Sequence, residues 1–247
     1  MIDPRKTIIN ERLKEIANII AVSSGKGGVG KSLIASTLAL TLAKKGYKTG
    51  LFDLDFTSPS THLILGVKNV TPIEEKGIIP PVIHGIKYMS IIYYSGEHAA
   101  PLRGEDISNV LIELLAITRW SKLDCLVIDM PPGISDATLD IIRLIKRIRF
   151  LVVTTPSRLA YETVRKLLNL LKDLNIPVLG VMENMKMQDS NFIRKHVEEA
   201  GVAYLGEIPF DKQLEEAIGD VNRLLETEFS RRIAEIIERN SRLLVPK

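Results

Sequence analysis

Thiols, long apolar runs and a dominant charge are all scarce in this chain, and each scarcity closes off a class of protein. The single cysteine, Cys125, excludes a disulfide framework. No segment approaches the roughly 20 consecutive apolar residues that span a bilayer. The first residues, with Arg5, Lys6, Glu11 and Arg12, have no apolar centre suited to a signal peptide, so the cytoplasm is the expected location. Lysines and arginines number 33 against 30 aspartates and glutamates, a net charge of +3 that marks neither a nucleic-acid binder nor an enzyme of acidic substrates. Repeats and low-complexity linkers are also missing, and Pro72, Gly77, Pro80 and Pro81 mark a loop excursion rather than a boundary. With 247 residues, 45% of them hydrophobic, the chain suits one α/β domain over 1–247.

What is present is an alternation of strand-like and helix-like segments. Apolar runs at Asn18–Val22, Lys48–Asp53, Ile86–Ile92, Leu123–Asp129, Phe150–Thr154, Val178–Met182 and Tyr204–Ile208 predict strands. Helical patterns fall at 33–45, 106–118, 137–147, 159–173, 191–200, 211–217 and 228–240. That order predicts an α/β fold, a doubly wound and mostly parallel sheet with helices on both faces. The one basic run, Arg143, Lys146, Arg147 and Arg149, lies among Leu144, Ile145 and Ile148 and is expected to be the wet face of a helix.

Ser24-Gly25-Lys26-Gly27-Gly28-Val29-Gly30-Lys31-Ser32 carries the most chemistry. Gly25 to Ser32 satisfies the G-x-x-x-x-G-K-S/T spacing, in which glycine-rich backbone brings successive N–H groups close to a polyphosphate. An apolar strand precedes it, and Leu33, Ile34, Leu38 and Leu42 recur at helical spacing after it, with Gly46 as the stop. The phosphates are thus expected at a helix N-terminus, where unpaired donors and the macrodipole favour negative charge. Lys31 is placed to reach the β- and γ-phosphates and Ser32 to offer a hydroxyl to Mg²⁺. Lys26, near the loop's tip, points to a nucleotide held by a second subunit or is a solvated surface lysine.

Ligand groups in such sheets collect at the carboxyl ends of the strands, and two acidic motifs fall there. Asp53-Leu54-Asp55 leads into Thr57-Ser58-Pro59-Ser60, and alternation puts both aspartates on one side. Asp53 is assigned to the magnesium shell and Asp55 to an attacking water; the other use of such residues is to cap the turn. Leu126-Val127-Ile128-Asp129 ends a rigid apolar strand in an acid suited to the metal side. Gly133, in the following Pro131-Pro132-Gly133, can bring its N–H near the γ-phosphate.

Together these residues resemble the Mrp/ApbC group of deviant Walker A ATPases, relatives of MinD, ParA and the nitrogenase iron protein. The resemblance runs from about Ile19 to Ile237 through Ser23 to Ser32, Asp53-x-Asp55 to Pro59-Ser60, Arg103-Gly104 and Asp129-Met-Pro-Pro-Gly133 with Asp136. It continues through Val153-Thr-Thr-Pro156, Gly180-Val-Met-Glu-Asn184-Met185 and Gly206-Glu-Ile-Pro-Phe-Asp211. It implies a P-loop NTPase in which Lys26 reaches across a sandwich dimer, Asp55 positions the hydrolytic water and Asp129 is the magnesium-side acid. It also implies that Gly25 to Leu33 wrap the phosphates, that Asn184 bonds the adenine edge and that Pro209, Phe210 and Asp211 pack around the base. On spacing alone Asn184 reads as a turn asparagine.

Departures from the group are equally informative. Its cluster-carrying members have Cys-x-x-Cys after Glu-Asn-Met, where this chain has Lys186-Met-Gln-Asp-Ser-Asn191. Iron–sulfur clusters want four thiolate-type ligands, and two copies of Cys125 supply at most two, so a cluster held in the usual family manner is not expected. Leu33 stands where a second hydroxyl residue is common, and Ile134-Ser135 where Thr-Gly is usual.

The expected function is an ATP-binding, slowly hydrolysing homodimeric switch using ATP and Mg²⁺. Family resemblance implies a role in iron–sulfur cluster assembly or transfer, beside a cysteine-bearing homologue or a client protein. Neither nucleic acid nor membrane is expected as a partner. Two rivals stay open. One is a positioning ATPase cycling on membrane or DNA, supported by the apolar stripe Phe229, Ile233, Ile236, Ile237, Leu243 and Leu244. The other is a nucleotide-dependent binding module whose hydrolysis has decayed.

Overall fold

Near-continuous apolar runs become strands covered on both faces. The computed structural model describes residues 4–95 and 104–244; Arg103 of the Arg103-Gly104 element lies outside them. Ten strands are described: β1 (Ile16–Ser24), β2 (Thr49–Asp53), β3 (Ile73–Glu74), β4 (Ile78–Ile79), β5 (Val82–Ile83), β6 (Ile86–Ser90), β7 (Leu123–Asp129), β8 (Ile148–Thr154), β9 (Val178–Lys186) and β10 (Tyr204–Pro209). Eight of them form one sheet in the order β10-β9-β8-β1-β7-β2-β6-β5, parallel throughout except for the edge pair β5–β6. β3 and β4 make a separate antiparallel pair inside the predicted excursion.

The helices are α1 (Arg5–Leu13), α2 (Lys31–Lys44), α3 (Thr61–Ile64), α4 (Ile92–Ser95), α5 (Gly104–Ile117), α6 (Asp136–Leu144), α7 (Arg158–Asp173), α8 (Phe192–Glu199), α9 (Val221–Glu226), α10 (Glu228–Arg239) and α11 (Ser241–Leu244). Alternation along each inner strand feeds two cores. Ile19 and Ala21 of β1 with Leu126 and Ile128 of β7 face α1, α5, α6, α7 and α8. Ile20 and Val22 with Cys125 and Val127 face α2, α9 and α10. The expected mostly parallel sheet with helices on both faces is the fold observed.

Register then sets the site. Asp129, the last residue of β7, stands opposite Val22 of β1 and Asp53 of β2. The loop after β1 and the two acids therefore emerge at one edge of the sheet.

Three sequence expectations are corrected, and one open alternative is weighed. The basic run is not the face of a helix, because α6 stops at Leu144 and Arg149 lies in β8. Instead Arg147 donates to the carbonyls of Leu13, Lys14 and Ile16, and Arg149 to Asn18 Oδ1 and Leu243 O. The open alternative of a membrane anchor loses its support, because Phe229, Ile233, Ile236, Ile237 and Leu244 are buried against the chain's own sheet and α2, and of that stripe only Leu243 is exposed. Helix 211–217 shrinks to a single 3₁₀ turn at Glu215–Ala217, since Asp211 Oδ1 accepts from Gln213 N and turns the chain. The strand over Ile86–Ile92 ends at Ser90, whose hydroxyl accepts from Ile92 N and starts α4. No sequence expectation covered α1, which packs on α5 through Ile9 and Leu13.

Arg147 is a staple between α1 and β1 even though its side chain is exposed. Arg147→Ala should lower unfolding free energy by about 1 kcal/mol, read from the urea midpoint. Lys146→Ala, its exposed neighbour, should stay within about 0.5 kcal/mol. Equal effects would remove the staple from the account.

Candidate nucleotide site

Between β1 and α2 the chain makes its glycine-rich turn. Gly30 stands just before α2 at φ +82°, where a Cβ would also lie 2.3 Å from the Asn184 side-chain nitrogen; no other residue fits there. Lys31 and Ser32 open the 14-residue α2, whose first turn contains no acid, so its leading N–H groups are left for a ligand. The cleft in front of them has a volume of about 390 Å³ and is lined by Lys26, Gly27, Gly28, Lys31, Ser32, Leu33, Asp55 and Pro132, among others.

Lys31 organises the charge. Its buried ammonium lies 2.7 Å from Asp129 Oδ1 and 3.3 Å from Asp55 Oδ2, with the Ser32 hydroxyl at 3.4 Å. Asp53 is buried alongside, so three carboxylates share one ammonium in a dry place. Burial, reinforced by Asp53 and opposed by Lys31, pushes the Asp129 carboxyl up to about 7. The Asp53 carboxyl is raised too, by burial, against hydrogen bonds from Thr61 and Asp55 that lower it.

Such an excess of buried negative charge suits a cation, and among the described residues Asp129 Oδ2 is buried without a hydrogen bond of its own, close to the Ser32 hydroxyl. Among the described residues no three His, Cys, Asp or Glu side chains converge as a metal cage. Magnesium does not need one, since it is commonly held by one or two protein groups together with phosphates and water.

The acids of the first motif are both turn caps. Asp53 Oδ1 accepts from Asp55 N, and Oδ2 from Thr61 N and the Thr61 hydroxyl. Asp55 Oδ1 accepts from Thr57 N, the Thr57 hydroxyl and Ser58 N, while Oδ2 faces Lys31. The capping use of these residues is thus present, and Asp55 reaches the cleft as well. Asp53 has no oxygen without a protein partner.

Other candidates fall less simply. Lys26 is exposed at the loop's tip, with no ion pair among the described residues and its carbonyl accepting from Ser24 Oγ. Gly133 directs its N–H to Ser24 O at 2.9 Å, so that donor is engaged rather than turned toward a γ-phosphate. Asn184 is buried under the loop, donating to Val29 O at 2.9 Å; it is the loop's floor. Pro209, Phe210 and Asp211 do not line the cleft. Pro209 ends β10, Phe210 is 49% exposed and donates its N–H to Lys186 O, and Asp211 Oδ2 accepts from Phe229 N.

A larger, open recess of about 750 Å³ lies between the end of β9 and α10. Its charges are largely satisfied internally, Lys186 by Glu207 and Arg232 by Glu235, and it contains none of the loop. The chemistry belongs to the smaller cleft. Sequence reasoning missed Thr61, Tyr88 and Thr163, the last being where Gly25 packs so closely that a Cβ would meet Thr163 Oγ1 at 2.4 Å. None of the three carries a motif signal, because each acts through packing from a distant segment.

Known proteins similar to this chain share its family and fold. An "iron-sulfur cluster carrier protein" of Aquifex aeolicus is 38% identical over 222 residues, 83% of this chain and 61% of that protein, so the chain spans about six-tenths of that relative's length. One of the same description from Methanocaldococcus jannaschii is 35% identical over 94% of this chain and 86% of its own. Among solved structures, a nucleotide-binding protein of Archaeoglobus fulgidus in complex with ADP superimposes with a TM-score of 0.76 at 31% identity, covering 90% of this chain and 93% of that one. MinD of Pyrococcus horikoshii, complexed with Mg-ADP, shares the fold at TM-score 0.69 and 21% identity, over 92% and 96% of the two chains. The ParA family profile described as NUBPL iron-transfer P-loop NTPase matches residues 15–244, and the chain belongs to that family.

Proposed function

We propose that this P-loop NTPase is an ATP-binding, slowly hydrolysing switch that dimerises around nucleotide and serves iron–sulfur protein maturation. The observation that carries the reading is the Lys31 ammonium poised between Asp55 and Asp129 at the head of α2. The backbone N–H groups of Gly25 to Leu33 wrap the polyphosphate, and Lys31 passes from its carboxylates to the β- and γ-oxygens. Asp55, on a capped turn, orients a water for in-line attack at the γ-phosphorus; the bond to the β-phosphate oxygen breaks and ADP and phosphate leave. Ser32 and Asp129 would hold Mg²⁺, which supplies charge neutralisation at the β- and γ-oxygens. Asp53 stands behind them as the anchor of the Asp55 turn.

Lys26 supports the dimer: an exposed cation at the mouth of the cleft, with no ion pair among the described residues, is suited to a nucleotide in a second copy. The iron–sulfur role rests on the names of the relatives. This chain contributes no Cys-x-x-Cys, and Cys125 is fully buried in mid-strand with its thiol pushed up to about 12 by burial. The cluster is therefore cargo handled through a cysteine-bearing partner, with nucleotide timing supplied here. The membrane-positioning rival loses its support with the burial of the α10 stripe.

Asp55→Asn keeps the caps to Thr57 and Ser58 while removing the charge, and should lower steady-state ATP turnover by about 100-fold, the scale of losing one transition-state contact. Unchanged turnover would end the role of Asp55. Wild-type protein should shift from monomer to dimer in sedimentation when ATP and magnesium are added, and Lys26→Ala should not. A dimer that ignores the substitution would make Lys26 a solvated lysine. Native Cys125 should resist a thiol reagent at pH 8 and react once the chain is denatured. Rapid native labelling, or a full cluster after anaerobic reconstitution of this chain alone, would overturn the cargo reading.

A further inference from the structure

Behind the Asp55 turn lies a buried hydrogen-bonded chain that the ATPase reading does not use. β6 runs parallel to β2, bringing Tyr88 opposite Leu51, two residues short of Asp53. Tyr88, Thr61 and Asp53 are all completely buried. The Thr61 hydroxyl donates to Asp53 Oδ2 at 2.6 Å and lies 2.9 Å from the Tyr88 hydroxyl. Because Thr61 has one proton and gives it to the carboxylate, Tyr88 must be the donor to Thr61. The order is fixed: Tyr88 O–H to Thr61, Thr61 O–H to Asp53, and Asp55 N–H to the other oxygen of Asp53 at 3.1 Å.

Asp53 thereby holds both ends of the segment 55–61, with Asp55 N on one oxygen and Thr61 on the other. The segment between is internally stiff, since Asp55 Oδ1 ties down Thr57 and Ser58. Asp55, Thr57, Ser58 and Ser60 all line the nucleotide cleft. A stiff turn on a two-point anchor moves as a unit, so the aim of Asp55 depends on the anchor. The anchor depends on the Thr61 hydroxyl, and that hydroxyl on Tyr88. The buried Tyr88 hydroxyl also has Ser90 within hydrogen-bond reach, but its contact with Thr61 is the one that connects it to Asp53, and a buried O–H costs free energy unless it is bonded.

We propose that Tyr88 and Thr61 are positioning residues for hydrolysis, a relay that fixes the Asp53 clamp and through it the place of Asp55 in the cleft. The inference rests on the ATPase reading above. Neither side chain lines the cleft, so their loss acts on the chemical step and not on nucleotide affinity.

The test uses the 247-residue chain with ATP and magnesium, comparing wild type with Tyr88→Phe, Thr61→Val and Thr61→Ser. Thr61→Val should lower kcat about tenfold and Tyr88→Phe by several fold, the range set by a buried hydrogen bond. ATP affinity should stay within about twofold, because binding groups are untouched. Thr61→Ser, which keeps the hydroxyl, should restore kcat to within about twofold of wild type. If Thr61→Val fails to fold, Tyr88→Phe, which removes only an oxygen, decides the question. A lower melting temperature with unchanged kcat per folded molecule overturns the relay and leaves a structural hydrogen bond. Wild-type protein that binds ATP without releasing phosphate overturns both the relay and the ATPase reading.

Discussion

Everything in the cleft depends on one buried ammonium. Lys31 is the sole cation in hydrogen-bond reach of Asp55 and Asp129 among the described residues, and Asp53 adds a third carboxylate to the same dry pocket. Taking these charges from water costs several kcal/mol per ion before attraction repays any of it. An arrangement with more buried acid than base is a poor way to stabilise a fold. It is a good way to hold a lysine ready for a stronger anion while retaining acids for a cation. The strained charge balance is best understood as belonging to the ligand.

That arrangement is possible because the sheet is parallel and in register. Val22, Asp129 and Asp53 stand at one level on three neighbouring strands, so short extensions beyond them meet: Leu54 N donates to Asp129 O, Met130 N to Val22 O, and Gly133 N to Ser24 O. The three loops are laced through backbone, and a shift in one is carried to the others. Side chains from further away set the remaining geometry. Asn184, from the end of β9, props Val29, and Thr163 of α7 limits Gly25.

The parts legible in the sequence share one property, a strong local signal. Gly25 to Ser32 follows a fixed spacing, and the apolar strands are buried on both faces, so the loop, α2 and the inner strands fall where periodicity puts them. Where two local patterns competed, the pattern misled. Leu144, Ile145 and Ile148 have helical spacing, yet Ile148 already belongs to β8, and Arg147 is drawn out of any helix by three carbonyls of the α1–β1 connection. Phe229 to Ile237 have the stripe of a membrane-binding helix, and amphipathicity does not say which apolar surface the stripe meets; here it is α2 and β10. Asp53 and Asp55 share a side of an extended segment, but the bonds from Thr61 and Asp55 N separate their tasks, and those partners appear only on folding.

The end of β9 joins the nucleotide loop to the outer recess. Asn184 is under the loop; Met185, a non-glycine at φ +59°, turns the chain; and Lys186 pairs with Glu207 at the wall of the outer recess. A left-handed conformation at a methionine persists only where neighbours on both sides are held, and here one neighbour is fixed by the nucleotide loop and the other by an ion pair. Three consecutive residues thus connect the floor of the nucleotide cleft with the segment that stands in place of Cys-x-x-Cys. Without thiolates at that place, the chain still has a short, rigid connection from the Val29 loop, held by Asn184, to the outer recess, where Lys186 pairs with Glu207.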